Sequence, residues 1–211
     1  MSRPDFRLCL VTDRRATGGR PLVEVIDACL GAGLPAVQLR EKDLPASDLL
    51  GLARALRGPT ARAGARLLVN DRVDVALAAD ADGVHLPAAG LPAAEARRLL
   101  GPGRLVGVST HAPAEVEAAA RAGADYVVFG PVFDTPSKRP HGPPQGLPAL
   151  AAAARRASLP VLAIGGITAA EVGAVREAGA AGVAVIRALL GAPDPGAATK
   201  ELLAACQRAW D

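Results

Sequence analysis

Residues 121–130 read RAGADYVVFG, an Ala-rich helical end followed by a glycine and a short apolar run. Glycine readily adopts the left-handed backbone that closes many helices. A short apolar run bounded by such a signal is typical of a strand that is buried on both faces of a parallel sheet. The segment therefore predicts the end of a helix, a tight turn and a buried strand.

The same pattern recurs along the chain. It is found in GAGLPAVQL (31–39), RAGARLLV (62–69), ADADGVHL (79–86) and EAGAAGVAVI (177–186). With the remaining apolar runs, the predicted strands are Arg7–Thr12, Ala36–Leu39, Arg66–Val69, Gly83–Leu86, Leu105–Ser109, Tyr126–Gly130, Val161–Ile164 and Gly182–Ile186. Helical patterns open between them at Pro21, Pro45, Arg72, Pro92, Pro113, Leu147 and Thr168, and a last one opens near Pro195.

Strands and helices alternate throughout the 211 residues. Eight such units in a chain of this length match a minimal α/β barrel of the (β/α)8 type, whereas a doubly wound sheet usually has fewer strands and leaves open edges. We therefore predict a TIM barrel that forms a single domain over residues 1–211. An open flavodoxin-like sheet is the alternative.

Composition limits the classes of partner. The net charge is +3 and the basic residues are scattered, which does not indicate a nucleic-acid surface. No apolar run approaches the roughly 18 residues that span a bilayer, and the amino terminus lacks a secretory leader pattern. Three widely separated cysteines do not suggest a disulfide framework. We expect a cytoplasmic protein with neither nucleic acid nor a membrane as its partner.

Barrel active sites lie at the carboxyl ends of the strands, so the loops after each strand carry the functional prediction. After the second predicted strand, Gln38 and Arg40 share one strand face, and Lys42 follows them on the loop. A guanidinium and an ammonium group suit phosphate or pyrophosphate. We predict an anion site here, with a solvated charge run as the alternative.

Two further loops offer polar groups. Asn70 and Asp71 follow the third predicted strand, where they either cap a helix or bind a ligand. Asp71 could bind magnesium, although one carboxylate is a small share of the oxygens that this metal prefers. Ser109, a predicted substrate contact, ends the fifth predicted strand, and His111 follows two residues later. Because imidazole titrates near neutral pH, His111 is the predicted general acid/base.

The other two histidines are weaker candidates. His85 lies within a predicted strand, where a structural role is expected, and His141 lies in a Pro/Gly-rich stretch. That stretch belongs to the longest loop, residues 130–146, which we interpret as a lid, with a disordered excursion as the alternative.

The remaining predicted contacts are phosphate and substrate contacts. In the long loop they are Thr135, Ser137, Lys138 and Gly146. After the seventh and eighth predicted strands they are Gly165, Gly166, Ile186 and Arg187. Glycines let a phosphate approach backbone amides, and phosphate sites recur at these two positions of barrels.

Taken together, these motifs resemble the thiamin phosphate synthase / TenI family. They are VQLREKD (37–43), VNDRVDVALA (69–78), DGVHLPA (82–88), GVSTH (107–111), GADYVVFGPVF (123–133), AIGGIT (163–168) and GVAVI (182–186). The resemblance spans nearly the whole chain and keeps the motifs in order. It implies a TIM barrel of thiamin biosynthesis that acts on a small phosphorylated thiazole, and it allows a homo-oligomer.

The family resemblance implies one of two activities. The synthase joins a pyrimidine methyl pyrophosphate to a thiazole phosphate, and its magnesium is held by the Asp of the N-D motif and by a second Asp in an H-x-G-Q-x-D stretch. Here that stretch reads HLPAAG (85–90), so Gly90 replaces the second carboxylate. The tautomerase uses no metal, and its histidine moves a proton to convert a non-aromatic carboxythiazole phosphate into the aromatic tautomer.

The missing carboxylate and His111 favour the TenI-type branch. We therefore expect an isomerase, a thiazole tautomerase without a cofactor, in which His111 transfers the proton. Arg40, Lys42 and Lys138 resemble pyrophosphate-binding residues and keep a magnesium-dependent synthase as the alternative. A second alternative is a regulatory barrel that binds thiazole phosphate without turnover. The family usually has Ser where Arg187 stands, which leaves the role of that side chain open.

Overall fold

The protein is described here by a computed structural model that covers residues 4–135, 139 and 142–211. Eight parallel strands close into a barrel in chain order. The strands are β1 Leu8–Val11, β2 Ala36–Leu39, β3 Arg66–Asn70, β4 Gly83–Leu86, β5 Leu105–Thr110, β6 Tyr126–Phe129, β7 Val161–Ile164 and β8 Gly182–Val185. The helices are α1 Leu22–Gly31, α2 Ala46–Arg62, α3 Val73–Ala78, α4 Ala93–Leu100, α5 Pro113–Arg121, α6 Gly146–Arg156, α7 Val172–Glu177, α8 Arg187–Leu190 and α9 Pro195–Trp210.

The predicted (β/α)8 barrel is confirmed. Strands β2, β4 and β7 have the predicted bounds, and the other strands differ from the prediction by no more than one residue at either end. The helices depart from the prediction at two places. Helix α7 begins at Val172 rather than at Thr168, because the Glu171 carboxylate accepts hydrogen bonds from the amide and hydroxyl of Thr168 and holds a turn there. The four-residue helix α8 was not predicted, since it is too short to show a helical period.

The repeated segments act as helix stops. Gly123 and Gly179 have φ angles of 86° and 91°, in the left-handed region that side chains disfavour. In ADADGVHL the equivalent position is Asp80, whose φ is 50°. Aspartate tolerates this conformation better than most residues, so the same stop forms without a glycine.

The core has two layers, because successive strand side chains point to opposite faces. The larger layer lies between the strands and the surrounding helices. The smaller one fills the barrel itself and consists of Phe6, Cys9, Val11, Ala36, Leu68, Leu105, Tyr126, Val128, Leu162 and Ala184. In the part of the chain that the structure describes, no helix is both long and apolar enough to cross a membrane.

Two aspartates tie neighbouring strands together at the amino ends of the barrel. The fully buried carboxylate of Asp125 accepts hydrogen bonds from the Val106 amide at 2.9 Å and from the Arg97 guanidinium. Asp82 accepts from the Leu67 amide at 2.8 Å in the same way. Each carboxylate accepts from the amide of the second residue of a strand, Val106 in β5 and Leu67 in β3, and so helps to fix the register of a strand pair.

We expect Asp125→Ala to lower the free energy of unfolding by about 2–4 kcal/mol, because it leaves a buried amide and a guanidinium without their shared acceptor. Urea unfolding of the purified variant measures this loss. The matched control is Glu95→Ala, which removes the partner of Arg98 from an exposed ion pair and should cost no more than about 0.5 kcal/mol. Equal effects of the two substitutions would contradict the structural role of Asp125.

Candidate active site

A cavity of about 540 Å³ opens at the carboxyl ends of the strands. It brings together most of the predicted site residues, namely Gln38, Arg40, Lys42, Asn70, Ser109, His111, Thr135, Gly165, Gly166, Ile186 and Arg187. Ser137, Lys138 and His141 fall outside the described residues, so the predictions for them and for the lid stay predictions. Asp13 and His85 also line the cavity and were not predicted as contacts.

The inner part of the cavity is neutral and polar. Gln38 is buried, and its amide donates a hydrogen bond to the side-chain oxygen of Asn70 at 3.0 Å. Val11, Val128 and Ala184 add apolar surface to the lining of the cavity. An uncharged ring with a few hydrogen-bonding groups fits such surroundings better than an anion does.

His85 is the main residue that sequence reasoning underestimated. Its side chain is buried, with Nε2 2.9 Å from the Ser109 hydroxyl and Nδ1 3.2 Å from the Tyr126 hydroxyl. Burial, together with a smaller effect of the positive charge of Arg40, lowers the pKa of His85 to about 3. His85 is therefore a neutral imidazole at physiological pH, placed between the barrel interior and the cavity.

Hydrogen bonds from Arg14 to Glu41 and Asp43, here called the Arg14 clamp, fix the loop on the cationic side of the cavity. The sequence did not predict them. The buried carboxylate of Glu41 accepts hydrogen bonds from the Arg14 amide at 3.1 Å and from its guanidinium at 3.2 Å. Arg14 also contacts Asp43, and these hydrogen bonds hold the pKa of the Asp43 carboxyl well below its usual range. The loop that carries Arg40 and Lys42 is thus fastened to the end of β1.

His111 lies at the exposed mouth of the cavity. Its Nδ1 is 2.6 Å from the Gly130 carbonyl oxygen, which can only accept, so Nδ1 carries the hydrogen. The Glu115 carboxylate accepts from the His111 amide and completes the start of α5. In its neutral form His111 therefore has an acceptor nitrogen, Nε2, for a ligand.

The glycine pair after β7 has a packing role as well as a predicted ligand role. Gly166 has a φ of 66°, and a Cβ there would lie 2.7 Å from the Cβ of Phe133. The amides of Val132 and Phe133 donate to the carbonyls of Ile164 and Gly165. The start of the long loop therefore lies directly against the end of β7.

Gly146 does not line the cavity. Its amide donates to the Val132 carbonyl at 3.0 Å, and its φ is 75°. It closes the long loop against the barrel, which is a structural reason for a glycine at position 146.

The residues at the family's metal position do not form a site with two carboxylates. Asp71 is exposed, with a φ of 66°, and lies beside the cavity rather than on its described lining. A Cβ at Gly90 would lie 3.0 Å from Asp71 Oδ1 and 2.8 Å from the Pro87 ring. Among residues 4–135, 139 and 142–211, no group of three His, Cys, Asp or Glu side chains could hold a metal ion.

Comparisons with known proteins identify the family. Residues 8–189 match the family model described as thiamine monophosphate synthase. The chain belongs to this family. It is 53% identical over 193 residues to the thiamine-phosphate synthase of Roseiflexus castenholzii, covering 92% of this chain and 85% of the relative. The thiamine-phosphate synthase of Moorella thermoacetica is 44% identical over 206 residues and 98% of each chain.

A solved structure supports the same assignment. The thiamine phosphate pyrophosphorylase of Pyrococcus furiosus superposes with a TM-score of 0.88 at 36% identity, covering 97% of both chains. The fold and the family thus agree over nearly the whole length.

The prediction of a thiazole tautomerase, and with it of an isomerase, is wrong. The relatives that share about half of this sequence are named synthases, which favours a transferase. The error lay in the weight given to Gly90. Magnesium can take most of its ligands from substrate phosphates and water, so one missing carboxylate does not exclude pyrophosphate chemistry.

The depressed pKa of His85 predicts a pH-dependent stability. In the unfolded chain this imidazole titrates near its ordinary value of 6.5, whereas in the folded protein it titrates at about 3. The unfolded chain therefore binds an extra proton below pH 6.5. His85 leaves stability unaffected above that pH and reduces it progressively as the pH falls toward 3, by about 1.4 kcal/mol per pH unit.

Urea unfolding between pH 7 and about pH 5 should show this loss as an added slope that His85→Asn removes. Comparing slopes, not absolute stabilities, separates the proton effect from the packing cost of the substitution. An unchanged slope in the variant would show that His85 is not the neutral buried group described above.

Proposed function

We propose that the protein is a thiamine-phosphate synthase, a transferase that joins a pyrimidine methyl pyrophosphate to a thiazole phosphate. One observation carries this proposal: a single cavity combines a cationic side at the end of β2, a neutral polar floor and a glycine-bordered side at β7 and β8. Two anionic groups can bind at opposite sides with a ring between them. The names of the relatives support the same activity.

The reaction balances without a proton transfer. The lone pair of the thiazole nitrogen forms a C–N bond to the pyrimidine methylene carbon, while the C–O bond to pyrophosphate breaks. The electron pair leaves with pyrophosphate, and the thiazole ring becomes a cation. The chief task of the protein is therefore to orient two rings and to stabilise the departing anion.

The chain's own residues suit these tasks. Arg40 and Lys42 stabilise pyrophosphate as its negative charge grows. The backbone around Gly165, Gly166 and Arg187 binds the thiazole phosphate. Because the step moves no proton, His111 acts here as a binding group at the mouth of the cavity and not as a general acid/base.

Asp71 and Gly90 provide one carboxylate where a two-carboxylate magnesium site would have two. On this proposal, Asp71 is the residue that would hold magnesium, with one carboxylate, while oxygens of the substrate's pyrophosphate group and water would supply the other ligands. The bound metal would neutralise negative charge on the leaving group. The roles given to Arg40, Lys42 and the backbone after β7 and β8 are those of the protein's own groups.

The proposed activity also implies a location and a class of partner for the protein. It works in the cytoplasm on small phosphorylated substrates, with neither nucleic acid nor a membrane as its partner. A homo-oligomer is compatible with it, since the cavity described above is lined by residues of one chain.

The direct test supplies the purified protein with both substrates and magnesium. We expect thiamine phosphate and pyrophosphate to appear in equal amounts. Arg40→Ala should lower kcat/KM for the pyrimidine substrate by about 100-fold, since it removes a charged contact to the leaving group. Arg54→Ala, an exposed arginine of α2, is the matched control and should change it less than two-fold. Absence of thiamine phosphate with the wild-type protein would refute the proposal.

The metal interpretation has its own test by Mn²⁺ binding, which electron paramagnetic resonance measures without turnover. Wild-type protein should bind Mn²⁺ only when pyrophosphate is present. Pro87→Gly/Gly90→Asp clears the proline ring and adds the missing carboxylate, so it should raise Mn²⁺ affinity without pyrophosphate at least ten-fold. Adding Asp71→Asn should abolish the gain. Tight Mn²⁺ binding by the wild-type protein alone would contradict this view of the site.

A further inference from the structure

Three side chains form a hydrogen-bonded line from the barrel interior to the cavity. Tyr126 is buried beneath the cavity, His85 lies in the middle, and Ser109 lines the cavity. The strand register brings them together, since His85 pairs with Gly107 on β5 and Gly107 pairs with Tyr126 on β6. The Tyr126 ring must therefore cross β5 to reach His85.

Gly107 makes this crossing possible. A Cβ at position 107 would lie 2.1 Å from Cζ of Tyr126 and 2.4 Å from its hydroxyl oxygen. Any side chain there would push the phenol away from His85. Ser109 lies two residues further along β5, on the same strand face as Gly107, where its hydroxyl meets Nε2.

Counting protons fixes the direction of each hydrogen bond. Burial raises the pKa of Tyr126 well above its ordinary value, so the phenol keeps its proton. His85 Nδ1 is the acceptor that the structure places beside that proton. If Nδ1 carried a hydrogen instead, the buried tyrosine proton would lose this acceptor, which carries a substantial penalty. The hydrogen of His85 is therefore on Nε2, which donates to the Ser109 oxygen.

We propose that Tyr126 is a positioning residue: it holds His85 in the Nε2–H tautomer, and so directs the Ser109 hydroxyl proton into the cavity as a donor to a ring nitrogen of the pyrimidine substrate. A ring nitrogen is the matching acceptor because the cavity floor is neutral, whereas the anionic groups belong at the cationic and glycine-bordered sides. The identity of this ring rests on the proposed function, but the tautomer does not.

The tautomer is tested by long-range ¹H–¹⁵N NMR on protein labelled at histidine nitrogen, with the His85 signals assigned by their loss in His85→Asn. Wild-type protein should show a protonated Nε2 and an unprotonated Nδ1. Tyr126→Phe keeps the ring but removes the donor, so its His85 signals should shift toward a tautomer mixture. A wild-type Nδ1–H tautomer, or an unchanged pattern in Tyr126→Phe, would overturn the proposal.

Kinetics tests whether Tyr126 acts through Ser109. Tyr126→Phe should raise KM for the pyrimidine substrate about 3- to 10-fold and leave kcat within two-fold, because a binding contact is weakened. Ser109→Ala should do the same. The double variant should match Ser109→Ala within about two-fold, since both changes disable one contact. If the increases in KM caused by the two single substitutions multiplied in the double variant, Tyr126 would not act through Ser109.

Phe6→Leu provides the packing control. Phe6 meets the Tyr126 ring edge-on at 5.8 Å between centroids, without a polar group. The variant should lower the Tm yet keep KM and the His85 signals unchanged. If Phe6→Leu raised KM as Tyr126→Phe does, packing rather than the hydroxyl would be responsible. If the protein made no thiamine phosphate, the proposed function would fail while the NMR result still decided the tautomer.

Discussion

Hydrogen bonding between β1 and β8 closes the sheet, and the location of the site follows from that closure. Leu8, Cys9 and Leu10 pair with Val183, Ala184 and Val185 in parallel register. Because all eight strands run in one direction around a closed ring, their carboxyl ends meet at one rim. Residues as distant in sequence as Gln38 and Ile186 then line the same cavity.

Much of the fold could be predicted from sequence because its signals are local. The helix stop, the glycine or aspartate and the buried run recur in five of the eight units, so both the alternation and the strand ends could be deduced. Helix α8 escaped prediction because four residues show no period. The site loops were also predictable, since a barrel assigns function to one end of its strands.

What sequence reasoning missed depended on contacts between strands. The role of His85 depends on Gly107, whose lack of a side chain lets Tyr126 reach across β5. The clamp of Arg14 on Glu41 joins residues on two different loops. Gly90 led to the wrong prediction of a tautomerase. The number of carboxylates at a metal position does not show how many metal ligands the substrate supplies. Chemistry was therefore harder to predict than architecture.

The long loop after β6 is fastened at both ends. Gln145 and Gly146 donate to the carbonyls of Pro131 and Val132, and Val132 and Phe133 donate to the end of β7. Closing a flexible loop costs free energy that grows only with the logarithm of its length, by about 0.6 kcal/mol per doubling. Insertions and deletions within the loop should thus leave the barrel nearly undisturbed. The loop is therefore a suitable place for new chain termini in a circular permutation.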